Sequence, residues 1–343
     1  MSVALEAASP AAFAPGTEPR AQQRQAFLLA LGVATALPML LMPLLARIAP
    51  QSAGMESVRN MLVFLGGNGH VALTAFFYSD RRVREFFAER PGRYYVAPAL
   101  LILGTGLFFA TLGARFGPHV LLAYFSWQTY HYMRQNYGVL AFVGAGTPTG
   151  GPGWLERVTL NLGVAAGILA LPRLMGLDAG TPLAGHAGLL YEAGLYTLAC
   201  VPLAAGLAIV SNPRMLRDKV RLAFFAATAL FYAPSFLFDD VPSAVLGYAF
   251  AHGFQYFVFM LYVAAENGDE SPAPRIAVLA SLGFSLAMFM TAFADRPVWG
   301  EFAFGCYLGI VMAHFVIDAG MWRLGERFQR DYLRRAFACV LAR

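Results

Sequence analysis

The chain has 343 residues, 58% hydrophobic and only 13% charged, with a formal net charge of +5 and a mean hydropathy of +0.55. A soluble domain carries about a quarter charged residues, so this composition excludes an ordinary soluble fold and points to a polytopic membrane protein in an all-α class. The basic residues sit in short segments between apolar runs and not on one aromatic-interleaved face, which excludes nucleic acid as a partner and makes the charge a topology signal.

In chain order, residues 1–25 open with an Ala/Pro/Ser-rich stretch and lack the basic n-region of a signal peptide. They are expected to form a disordered cytoplasmic tail. Apolar runs then predict ten membrane helices at 26–48, 57–79, 94–115, 119–143, 155–176, 187–210, 220–238, 242–265, 275–294 and 299–323. Together they make one transmembrane bundle over 26–323, followed by a basic cytoplasmic segment, 324–343. The basic segments 19–25, 81–93, 212–221 and 322–335 all fall on one side of such a ten-helix layout, and the opposite loops are nearly free of Lys and Arg. The positive-inside rule then places both termini in the cytoplasm, and the composition suits a bacterial inner membrane. Cys200, Cys306 and Cys339 lie far apart without a CxxC pair and read as small packing residues.

Ionisable groups inside a bilayer are expensive and mark function. Of the six histidines, His70, His131, His252 and His314 sit in the second, fourth, eighth and tenth runs, which all cross from outside to inside. Counted from the cytoplasmic ends at 1.5 Å per residue, His70 and His314 lie about 15 Å deep and His131 and His252 about 20 Å deep, near the midplane of a core about 30 Å thick. His119 and His186 fall at outer helix ends and read as interfacial. Glu192 also lies near the outer boundary.

Residues three, four and seven apart share a helix face. Around His131 that face carries Tyr124, Trp127, Gln128, Arg134, Gln135 and Gly138, and around His252 it carries Tyr248, Gln255, Tyr256 and Phe259. Asp318 follows His314 at i+4, and Gly66, Gly67 and Thr74 flank His70. A ligating imidazole usually donates its other N–H to a nearby acceptor, so Gln128, Gln135, Gln255 and Asp318 are expected to orient the histidines. Arg134 is expected to serve as a charge partner of Asp318. Asp80 reads as a helix cap, and Tyr130, Tyr132, Tyr137, Tyr248 and Tyr256 are candidates to line a cavity for an apolar substrate. A single intramembrane histidine is often an interhelical hydrogen-bonding residue, but four at one depth suggest one metal site.

The chain has neither the HxxxH and HxxHH clusters of membrane di-iron desaturases nor an HExxH zinc motif. Neutral imidazoles with few carboxylates suit Fe(II), Cu or Zn. The multiple spans, the midmembrane histidines and the run Gly67, Gly69, His70 resemble the bacterial Brp/Blh-like β-carotene 15,15′-dioxygenases. That resemblance implies a histidine-ligated non-haem iron held by His70, His131, His252 and His314, acting with O2 on a carotenoid or other lipid-soluble substrate. Two other readings stay open at this stage: a b-type haem carrier with paired axial histidines, and a transporter or proton-relay channel using the same residues.

Overall fold

The computed structural model describes residues 17–48, 63–145, 147–176, 181–183, 185–239, 241–266, 275–283, 285 and 297–341. Among them every regular element is helical, and six helices are long and apolar enough to cross a membrane. Their outward faces are aliphatic: Leu40 is 74% exposed, Leu203 70% and Val210 75%. A soluble monomer does not present such continuous apolar surface. A lipid environment satisfies it.

Helix α1, Thr17–Ile48, starts nine residues before the expected span, so the tail expected over 1–25 is helical from Thr17. Pro19 near its start pre-sets a helical φ, and the Ala- and Gln-rich stretch that follows propagates it. The second span is irregular. A π-helical turn, Val63–Gly69, leads into His70–Leu73, and Ala75–Ser79 follows a break at Thr74. We call this stretch α2, 63–79. Its Gly66-Gly67-Asn68-Gly69 run has low helix propensity, and such π turns recur at functional sites.

The segment expected to be a cytoplasmic loop after α2 contains a helix, α3, Arg81–Ala88. Asp80 caps it as expected, accepting from the backbone N–H groups of Arg82 (2.8 Å) and Val83 (3.3 Å). α3 buries Val83, Phe86 and Phe87.

Helix α4, Ala97–Gly144, replaces two expected spans and the loop between them. Helical bonding runs through, yet the element doubles back. Arg93, just before it, donates to the Val316 carbonyl (3.3 Å), and Phe109 meets Phe304. Further along, Tyr124 and Trp127 both meet Phe315, and His131 meets His314. In a straight helix residues 93 and 131 would stand about 57 Å apart, but their partners are two positions apart in sequence. The reversal lies near Gly113, Gly117 and Pro118, where proline removes an i→i−4 bond. The two expected spans are therefore antiparallel limbs of one bent helix. A seam of Gly106, Gly305 and Gly309 lets the first limb touch α9, Pro297–Met321, backbone to backbone.

Helices α5, Trp154–Leu174, and α6, Ala187–Ser211, pair beside the bundle. The expected span 220–238 is shorter in the structure: α7, Lys219–Ala229, ends in a turn before Pro234, which cannot donate to the preceding helical turn. Helix α8, Gly247–Glu266, runs along α1. Of the expected ninth span, only 275–283 and 285 lie within the described residues.

The C-terminal segment, expected as a basic cytoplasmic stretch, folds back as a cap. α10, Arg327–Ala336, and the turn Ala338–Leu341 bury Tyr332, Leu333 and Val340. Phe337 inserts among Phe27, Phe142, Phe259 and Tyr262. Near α7, a buried ion pair joins Arg221 to Glu156 at 2.7 Å, and Arg221 also donates to the Gly150 carbonyl (2.6 Å).

Candidate metal centre

Two layers of contacts show that α2, the second limb of α4, α8 and α9 run in parallel. One layer is made of the four histidines. The next is made of Phe77, Phe142, Phe259 and Trp322, seven to eleven residues further along each helix, with Phe259 touching both Trp322 and Phe142 and Trp322 touching Phe77. Offsets that all run toward higher residue numbers are what parallel helices give.

The four imidazoles form a closed ring. Centroid separations are 4.9 Å for His70–His252, 4.9 Å for His252–His131, 5.2 Å for His131–His314 and 5.1 Å for His314–His70. The His252–His314 diagonal is 6.4 Å. All four are buried. Phe315 stacks on His131 and Tyr132 lies tilted against His252, each at 4.4 Å, so aromatic rings wall the cluster on two sides.

Two of the rings, His70 and His314, are held by hydrogen bonds through Nδ1. His70 is the first residue after the π-helical turn, and its Nδ1 donates to the Gly66 carbonyl at 2.7 Å, leaving Nε2 as the lone-pair nitrogen of the neutral ring. His314 Nδ1 meets the Thr74 hydroxyl at 2.5 Å, and Thr74 also meets Tyr256 Oη at 3.2 Å. Tyr256 donates to Asp318 Oδ1 at 2.8 Å. The other carboxylate oxygen, Oδ2, lies 3.6 Å from His314 Nε2 and 4.0 Å from His131 Nε2.

The glutamines act elsewhere than expected. Gln135 donates to the His252 backbone carbonyl and to Gln255 Oε1, both at 2.8 Å. Gln255 donates to Thr35 on α1 at 2.9 Å and to Asn136 at 3.4 Å. Neither reaches an imidazole nitrogen; they strap α4, α8 and α1 together beneath the ring. Gln128 makes no hydrogen bond among the described residues. Arg134, expected beside Asp318, is exposed, with its guanidinium over Tyr137 at 5.7 Å. At i+3 from His131 it is rotated to the opposite flank from Gln135 at i+4, which takes it away from α9. Asp318 is met by Tyr256 and the two histidines instead.

Tyr132, Tyr248 and Tyr256 are buried in the bundle, whereas Tyr130 is exposed and Tyr137 lies under Arg134 and Arg157. His119, His186 and Glu192 belong to neither ligand group; His186 and Glu192 are exposed, whereas the Nδ1 of His119 is buried and not open to water as expected. Cys200 is exposed, against the packing role expected, whereas the half-buried Cys306 packs against Gly106 and the half-buried Cys339 against the core. Thr35 and Asn136 were invisible as site-supporting residues in the sequence; a lone threonine in an apolar helix carries no signal of what it faces.

His131 Nε2, His314 Nε2 and both ring nitrogens of His252 are buried without a hydrogen-bond partner among the described residues. Leaving one buried polar atom unpaired costs about 1–3 kcal/mol, so several in one spot call for a shared occupant. Ligand atoms of His70, His252 and His314 lie within 4.8 Å of one another, as do those of His131, His314 and Asp318. Lone-pair nitrogens converging in an apolar shell fit a metal ion. Comparison with protein-family models, curated proteins and solved structures returned no match to this chain. The class the fold and site define is a helical, membrane-embedded protein with a buried histidine cluster able to bind metal.

Proposed function

We propose that this chain is a multi-pass protein of a bacterial inner membrane that holds one iron ion on His70, His131, His252 and His314 and oxidises a hydrophobic, carotenoid-like substrate with O2. The observation that carries the reading is the closed ring of imidazoles with unpaired nitrogens at one level of four parallel helices. Fe(II), when bound, supplies the one-electron chemistry that activates O2; copper or zinc would suit the same nitrogen donors.

The chain's own residues do the rest. Gly66 and Thr74 fix the ring planes of His70 and His314 through their Nδ1 atoms, a restraint that ligating histidines ordinarily need. Phe315 and Tyr132 exclude water from the ring. On the ten-span layout expected from the loop charges the site lies near the bilayer midplane, where it receives both O2 and isoprenoids from the lipid. The compactness of the cluster argues against haem: between His252 and His314, whose ring centroids stand 6.4 Å apart, the rings of His70 and His131 occupy the space a macrocycle would need.

The test is aerobic incubation of Fe(II)-loaded protein in lipid nanodiscs with β-carotene, following retinal by chromatography and O2 uptake with an electrode. Product formation that requires O2 and is lost in His252→Ala supports the reading. A metal-loaded protein that neither consumes O2 nor alters carotenoid overturns the substrate assignment, and uptake of metal by vesicles would point to transport.

A further inference from the structure

Resting on that metal reading, we propose that Asp318 is itself a ligand, so that the centre is a single ion held by four imidazoles and one carboxylate. The sequence predicts for this residue an orienting role or a pairing with Arg134. Its two oxygens have different surroundings: Oδ1 accepts the Tyr256 hydroxyl, and Oδ2 is aimed at His314 Nε2 and His131 Nε2. Both of those nitrogens lack any other partner among the described residues. Metal bonds of about 2.0–2.2 Å to nitrogen and oxygen place neighbouring ligand atoms roughly 3–3.5 Å apart. The observed 3.6 and 4.0 Å close to that spacing with shifts of a few tenths of an ångström.

The same contacts fix the number of ions. The two triads that could each hold a metal, His70/His252/His314 and His131/His314/Asp318, share His314. Its Nδ1 is engaged by Thr74 at 2.5 Å, so Nε2 alone is left to bind, and one lone pair serves one ion. The triads are therefore two sides of one site. A carboxylate there offsets one of the two positive charges of a divalent ion that burial would otherwise leave uncompensated.

The test uses Co(II) as an optical probe in the full-length protein purified in detergent, comparing wild type with Asp318→Asn, Asp318→Glu and Tyr256→Phe. The asparagine keeps the volume and can still accept from Tyr256, but its amide is a poor ligand. Expected are one Co(II) per chain in wild type, d–d bands that intensify in Asp318→Asn as the coordination number falls, and affinity at least tenfold weaker. Asp318→Glu should bind with shifted bands, and Tyr256→Phe should weaken binding without changing the band pattern. Wild-type bands in both Asp318 variants would overturn the proposal and leave the four-histidine site standing. Two Co(II) per chain would overturn the single-ion assignment. A folded wild type that binds no Co(II) would remove the metal reading itself.

Discussion

Replacing Gly253 with alanine tests how the bundle sets the orientation of His70. A methyl at 253 would overlap the carbonyl oxygen of Gly66, sit 2.9 Å from its carbon and lie 3.1 Å from His70 Nδ1. The Gly66 carbonyl is the group that His70 Nδ1 donates to, so the change strikes the one bond that fixes this imidazole. Overpacking of a tight contact costs about 1–3 kcal/mol, and loss of the hydrogen bond about 1 kcal/mol. The better helix propensity of alanine returns about 1 kcal/mol, so the net loss is about 1–3 kcal/mol. Gly67→Ala is the control, because a methyl there meets nothing within 4 Å, and it should hold or slightly raise stability. Both are measured as thermal midpoints in detergent, with Co(II) affinity alongside. A Gly253→Ala protein as stable as Gly67→Ala and binding Co(II) as wild type would refute the close-approach argument.

Removing either partner of the buried Arg221–Glu156 pair should cost about 3–5 kcal/mol, and replacing both with apolar residues of similar volume should cost less than either single change; unfolding midpoints of the two single variants and the double variant decide it. Gln135→Ala leaves the His252 carbonyl and Gln255 Oε1 without their shared donor and should destabilise by about 1–3 kcal/mol, read as a lower melting midpoint with metal stoichiometry retained. Arg134→Ala, on an exposed flank, should shift stability by no more than about 0.5 kcal/mol; a double-mutant cycle with Asp318→Asn that returned more than about 1 kcal/mol of coupling would restore the Arg134–Asp318 pair.

The histidines could be found in the sequence because a membrane span tolerates so few ionisable groups that each one stands out, and the charge asymmetry of the loops gave the shared direction that the Phe77, Phe142, Phe259 and Trp322 layer bears out. Helical spacing placed Asp318 one turn below His314, where it is. It could not say which way a polar side chain swings. Gln135 and Arg134 are adjacent on one helix, yet one reaches inward and the other sits over Tyr137. Gln255 was legible as inward-facing, but its partner Thr35 lies 220 residues away, and only tertiary packing brings them together. The apolar runs predict a break at 116–118 between two spans; the chain instead makes its turn inside one helix, with the bond at Pro118 removed. The C-terminal cap was read as a charged segment because its arginines outnumber the few apolar residues that it buries.

The four histidines are expected to hold one metal ion. Elemental analysis with an optical spectrum, on protein purified without chelator and on each of His70→Ala, His131→Ala, His252→Ala and His314→Ala, addresses it most directly. Expected are about one iron per chain without a Soret band, and metal content that collapses in every one of the four variants while the chains remain folded. Wild-type protein with no bound metal after reconstitution, or single variants that all keep full metal content, would contradict it.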